Sequence, residues 1–138
     1  MLFIAAGVFL APPASADENT RNILVLHAYS RFLPAIGAMD TGMRSAIRTT
    51  AGRTVRVYEE FLDMPRFEGP DYSRTVATYL SAKYRAHRPD AIVTTGLEAL
   101  NFVLENRASL YPGVPVVFLS LTGESLPSER TLPPDVIG

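Results

Sequence analysis

A chain of 138 residues, 47% of them hydrophobic and 20% charged, has room for one ordinary domain and not for two comfortable ones. The formal net charge of −1 supplies no basic excess for nucleic acid or an anionic membrane surface. There is no cysteine, which excludes disulfides, zinc–thiolate centres and a cysteine nucleophile.

Met1 to Leu10 are almost wholly apolar and are followed by Ala11-Pro12-Pro13-Ala14-Ser15-Ala16, then by the charged Asp17-Glu18. A short apolar core ending in Ala14-Ser15-Ala16 reads as a secretory signal over residues 1–16 with an A-x-A cleavage site. The run is too short to span a bilayer by itself. No Lys or Arg precedes it, so either the true start lies upstream or the segment is an apolar anchor. In both cases the domain, mature from Asp17, is expected outside the cytoplasm.

Ile23 to Leu26 form a continuous apolar tetrad, as expected of a central strand buried on both faces. Pro34 opens a helix whose stripe is Ile36, Met39, Met43 and Ile47, with Ala51-Gly52 at its end. Thr54 to Phe61 alternate, with Val55, Val57 and Phe61 on one face and Arg56, Tyr58 and Glu60 on a wetter one; that pattern belongs to an edge strand. Leu62 to Phe67 read as loop. A second helix starts at Gly69-Pro70-Asp71 on the stripe Tyr72, Val76, Tyr79, Leu80 and Tyr84, with its tyrosines in the core, and Pro89 stops it.

Asp90 to Leu100 are the centre of the pattern. Ala91 to Val93 run without alternation, Thr94-Thr95-Gly96 make a short polar turn, and Leu97, Leu100, Val103 and Leu104 then recur at helical spacing. Tyr111 to Pro115 are a turn and Val116 to Leu119 a fourth buried strand. The pattern βαβαβαβ predicts a three-layer open parallel α/β sheet of strand order 2-1-3-4 over residues 17–124. Residues 125–138 are expected to be a crossover, within which Val136-Ile137 begin another apolar run.

In such sheets ligands sit beyond the carboxyl ends of the strands. The residues there are His27, Tyr29 and Ser30 after the first strand and Glu60 and Asp63 after the second. Thr94, Thr95 and Gly96 follow the third, and Ser120 and Thr122 the fourth. Hydroxyls and a few charges around an apolar wall orient a small molecule, and free amides after Gly96 would suit an anion. No G-x-G-x-x-G, P-loop or G-x-S-x-G motif is present, and a receiver's aspartate is replaced by Thr94-Thr95. His27 and His87, the two histidines, fall at opposite ends of their elements, which argues against a shared metal site. The reading is non-enzymatic, with no cofactor. An enzyme in the same crevice would have to use His27 with Glu60 or Asp63. A lobe serving only dimerisation would need an exposed apolar patch on its outer helices.

Five stretches, taken in order, resemble a known family: Ile23 to Ser30; Glu60 to Asp63 with Arg66-Phe67; Tyr79 to Tyr84; Arg88 to Val93; and Tyr111 to Phe118. Together they resemble the extracytoplasmic binding domains related to ABC transporter substrate-binding proteins. Domains of this sort also serve as N-terminal sensor modules of membrane histidine kinases, and Leu26-His27-Ala28-Tyr29 with Leu62-Asp63-Met64-Pro65-Arg66-Phe67 look more like that branch. The resemblance implies a type 1 periplasmic binding fold with two α/β lobes closing on a ligand, of which this chain supplies the N-terminal lobe and lacks the C-terminal one. It further implies a small organic ligand, such as an amino acid, held by His27, Tyr29, Ser30, Asp63, Thr94, Thr95, Gly96 and Ser120. The implied partner is a membrane kinase or, in the transporter alternative, an ABC permease.

Overall fold

The computed structural model of the protein describes residues 20–50, 52, 54–119 and 132–138. The signal-like stretch 1–16, Ser120 and Thr122 lie outside the described residues. In chain order the elements are β1 (Thr20–His27), α1 (Pro34–Thr50), β2 (Thr54–Phe61), α2 (Pro70–Lys83), a 3₁₀ turn (Arg85–His87), β3 (Ala91–Thr95), α3 (Leu97–Leu110), β4 (Val116–Leu119) and β5 (Val136–Ile137). All pairings are parallel, in the order β2-β1-β3-β4-β5. The expected order 2-1-3-4 is present, and Val136-Ile137 add a fifth, two-residue strand on β4.

The step from β1 to β2 runs opposite to the later steps across the sheet, so connections of one hand place α1 on one face and α2 and α3 on the other. Side chains follow that division because successive strand residues point to opposite faces. Leu24, Leu26, Ile92, Val116 and Phe118 meet Leu80, Leu100, Phe102 and Val103 in the main core. Burial of one such side chain stabilises by about 1.5–3 kcal/mol. Leu132 packs against this cluster, and Asp135 pairs with Arg107 of α3, so the last residues before β5 run on the α3 face.

Polar ties fix the ends. The Asp90 carboxylate accepts from the Asn22 amide at 2.8 Å and from Arg21 at 2.9 Å, locking the amino ends of β1 and β3 together. Tyr111 donates its hydroxyl to the Leu80 carbonyl at 2.7 Å, and burial pushes its phenol up to about 12. Asn106, otherwise an odd residue for a buried helix face, donates to Ser73 at 2.8 Å and to the Phe102 carbonyl at 2.9 Å, joining α3 to α2.

Several local expectations need correction. Of the α1 stripe only Ile36 is buried; Met39, Met43 and Ile47 are half-buried beside an apolar groove of about 670 Å³ against Val93, Val117 and Leu119. A lone helix about 10 Å wide cannot cover five strands spaced about 4.8 Å apart. Both faces of β2 are half-buried: Glu60 on the supposed wet face holds Lys83 at 2.6 Å and Tyr84 at 2.5 Å, while Glu59 on the other pairs with Arg44. Tyr84 is core, but Tyr79 is 53% exposed, with the Lys83 ammonium 5.3 Å from its ring: it lies at the margin of the stripe that α2 packs.

Candidate functional site at the carboxyl edge of the sheet

His27 ends β1 in register with Phe61 of β2 and Thr95 of β3. Its ring is 1% exposed, stacks on Phe61 with centroids 4.7 Å apart, and holds Thr95 Oγ1 to Nδ1 at 3.0 Å. Nε2 is buried without a hydrogen-bond partner among the described residues. Burial lowers the imidazole from its ordinary value, and the Asp40 carboxylate opposes that shift in part. Thr94 points to the opposite face, fully buried, and its hydroxyl likewise lacks a partner among the described residues.

Gly96 turns β3 into α3 at φ 88°, a conformation reserved for glycine. A β-carbon there would lie 3.0 Å from Ala28 Cβ and 3.1 Å from Tyr29 Cε2, so the missing side chain lets the loop after β1 rest on the start of α3. That contact sets the Tyr29 hydroxyl 3.1 and 3.2 Å from the two carboxylate oxygens of Glu98, to which it donates. The sequence suggested an open anion site here. The chain's own Glu98, in the first turn of α3, brings negative charge to that helix end instead.

Asp63 leaves β2 at φ 50°, a left-handed turn that aspartate tolerates. Its carbonyl accepts from the amides of Arg66 at 3.0 Å and Phe67 at 3.3 Å, and its carboxylate pairs with Arg66 at 3.3 Å. Tyr72 donates to the Leu62 carbonyl at 2.7 Å. Burial, then the nearby Asp63 charge, raises its phenol. Ser30 closes the first loop, accepting from the Phe32 amide at 3.4 Å through its hydroxyl.

Between the β2–α2 loop and α3 opens a groove of about 650 Å³. Met64, Phe67, Tyr72 and Phe102 form its apolar wall, with Phe67 and Tyr72 stacked 5.3 Å apart. Its charged lining is Glu68, Glu98 and Glu105, with no lysine or arginine. Arg66, the cation near Phe67, is engaged by Asp63.

Of the expected site residues, the structure gathers His27, Tyr29, Ser30, Asp63, Thr94, Thr95 and Gly96 on one edge. It sorts them by depth. His27, Thr94, Thr95 and Gly96 are buried and form the floor, while Tyr29, Ser30 and Asp63 remain partly open. Glu60 is absorbed beneath α2, on the face opposite His27, so the two do not meet. Sequence reasoning missed Glu98 and the groove; an acid two residues past a turn glycine, in a helix's first turn, was the available signal. Among the described residues no group of three or more His, Asp or Glu could hold a metal ion, and no helix is long and apolar enough to cross a membrane.

Fold and edge together define an open parallel α/β sheet of order 2-1-3-4-5, with these residues along its carboxyl rim. Comparisons with protein-family models, curated proteins and solved structures return no match to the chain.

Proposed function

We propose that this chain is an extracytoplasmic, non-enzymatic recognition lobe that binds a small organic molecule at this rim. In this reading it is the N-terminal lobe of a type 1 periplasmic binding fold, serving as the sensory input of a membrane signalling protein such as a histidine kinase. The observation that carries the reading is the apolar surface left open at the edge: Phe32 is 87% exposed, Leu33 41% and Phe67 48%, all on the loops that follow β1 and β2. Such residues cluster where a second surface or ligand will cover them. A facing lobe that closes over the groove would bury them, and a ligand preferring the closed state would supply the shift. An amino-acid-like ligand suits the groove at its ammonium end, which Glu68, Glu98 and Glu105 favour.

The test is a thermal-shift screen of small metabolites, followed by calorimetry, on the longest reading frame that contains this lobe. A ligand that stabilises the protein, and whose affinity falls at least tenfold when Phe67 and Glu98 are replaced by Ala and Gln, supports the reading. Stable binding unaffected by both changes places the site elsewhere and overturns it. A permease encoded beside the frame, rather than a kinase within it, would move the same site to the transporter alternative.

A further inference from the structure

We propose that the groove between the β2–α2 loop and α3 takes a linear aliphatic diamine or polyamine, with an ammonium at each end and methylenes between. The inference rests on the reading of that groove as a ligand site and names the class of ligand. A spacing on α3 carries it. Glu98 and Glu105 both line the groove. Seven residues are two turns of helix, so the two acids share one stripe, about 10.5 Å apart along the axis. Phe102 lies between them on that stripe, 3% exposed, and lines the groove as well.

The rest of the lining keeps that alternation of charge and hydrocarbon. Met64, Phe67 and Tyr72 form an apolar wall, and Glu68 adds a third carboxylate from the β2–α2 loop. None of the ion pairs among the described residues uses Glu68, Glu98 or Glu105. Glu98 accepts from the Tyr29 hydroxyl, a neutral donor, at 3.1 and 3.2 Å. Its place in the first turn of α3 also has a structural reason in the helix dipole. Glu105 has no such reason. It stands in mid-helix, and the residues three and four away (Asn101, Phe102, Ala108 and Ser109) include no Lys or Arg.

An amino acid would satisfy one end of this arrangement and set its own carboxylate against the acid at the other. A second ammonium removes that repulsion. An octamethylene chain carries two such charges along the stripe, and its methylenes cover Phe102 and Met64 on the way. The Phe67 and Tyr72 rings, 5.3 Å apart, add aromatic faces that attract a cation. Phe67 already draws one: the Arg66 guanidinium lies 5.8 Å from its ring, its charge held by Asp63. Three carboxylates match the charge of a diamine or triamine and would leave the filled groove close to neutral.

The experiment is titration calorimetry of the full chain with octamethylenediamine, octylamine, trimethylenediamine and ω-aminooctanoate, repeated on Glu98→Gln and Glu105→Gln. Octamethylenediamine should bind about tenfold more tightly than each of the other three, and more weakly as salt is raised. Either substitution should cost it about tenfold and erase its advantage over octylamine. Both side chains are exposed, so the variants keep the fold, which urea unfolding checks. No binding of octamethylenediamine, or an advantage over octylamine that survives in Glu105→Gln, overturns the inference. Tighter binding of ω-aminooctanoate also overturns it; if Phe67→Ala abolishes that binding, the recognition reading stands with a zwitterionic ligand. Binding of any of these ligands that ignores both Phe67→Ala and Glu98→Gln overturns the recognition reading as well.

Discussion

Replacing Gly96 by alanine tests the claim that the rim is built on a close approach between the loop after β1 and the start of α3. The residue sits at φ 88° and ψ 149°, a region open essentially to glycine, and occupying it with a β-carbon costs about 1–3 kcal/mol. The new methyl would also meet Ala28 Cβ at 3.0 Å and Tyr29 Cε2 at 3.1 Å. Relieving such overpacking costs typically about 1–3 kcal/mol. The sum is about 2–6 kcal/mol, or roughly 7–20 °C in Tm for a domain of this size. Gly69 is the control, since it has φ 100° and ψ 163° with nothing within 4 Å of its would-be β-carbon. Gly69→Ala should therefore show the backbone cost alone. Urea unfolding of both variants measures the difference. Equal losses would refute the close approach, and a loss under about 1 kcal/mol at Gly96 would refute the backbone assignment as well.

Thr94→Val removes a buried hydroxyl that has no partner among the described residues, so urea unfolding should show no loss or a small gain in stability. Thr95→Val strips His27 Nδ1 of its bond and should cost about 1–3 kcal/mol in the same measurement. Leu100→Ala, at a side chain with no exposed surface in the main core, should cost about 2–5 kcal/mol. The Asn22 amide, then Arg21, holds the Asp90 carboxyl below its ordinary value, so its contribution is present above about pH 4 and lost as the pH falls. Asp90→Asn should accordingly be less stable than the natural protein at neutral pH, and the two should converge in acid.

The architecture was legible because the strands announce themselves. Ile23 to Leu26, Ala91 to Val93 and Val116 to Leu119 are unbroken apolar runs, the pattern of interior strands in a parallel sheet, although Val117 and Leu119 are only half-buried along the open groove. The edge position of β2 and the division of its faces followed from its alternation, although the face of Tyr58 and Glu60 is half-buried rather than wet. Glu60 lies among apolar residues only because Lys83 and Tyr84, more than twenty positions away, arrive to hold it. Nothing local to Thr54–Phe61 encodes that arrival. The exposure of Tyr79 escaped for a related reason: a helical stripe shows which residues share a face, not how much of that face its neighbours cover.

The site was legible as a list of positions and not as depths. Strand-tip arguments place His27, Thr94, Thr95 and Tyr29 on one edge, and they lie there. Register parity then decides what each one touches. His27 pairs with Phe61 and Thr95 and so faces α1, while the Leu26–Glu60 pair faces α2. A catalytic pairing of His27 with Glu60 would require two residues separated by a sheet to meet. The same parity puts Glu59 on the α1 face, where Arg44 of α1 pairs with it and with Asp40, residues with no motif around them. That pairing joins α1 to β2 and becomes visible only once the helix is laid on the sheet. For that reason this ion cluster was absent from a reading by motif, and the residues that build the floor of the rim were not.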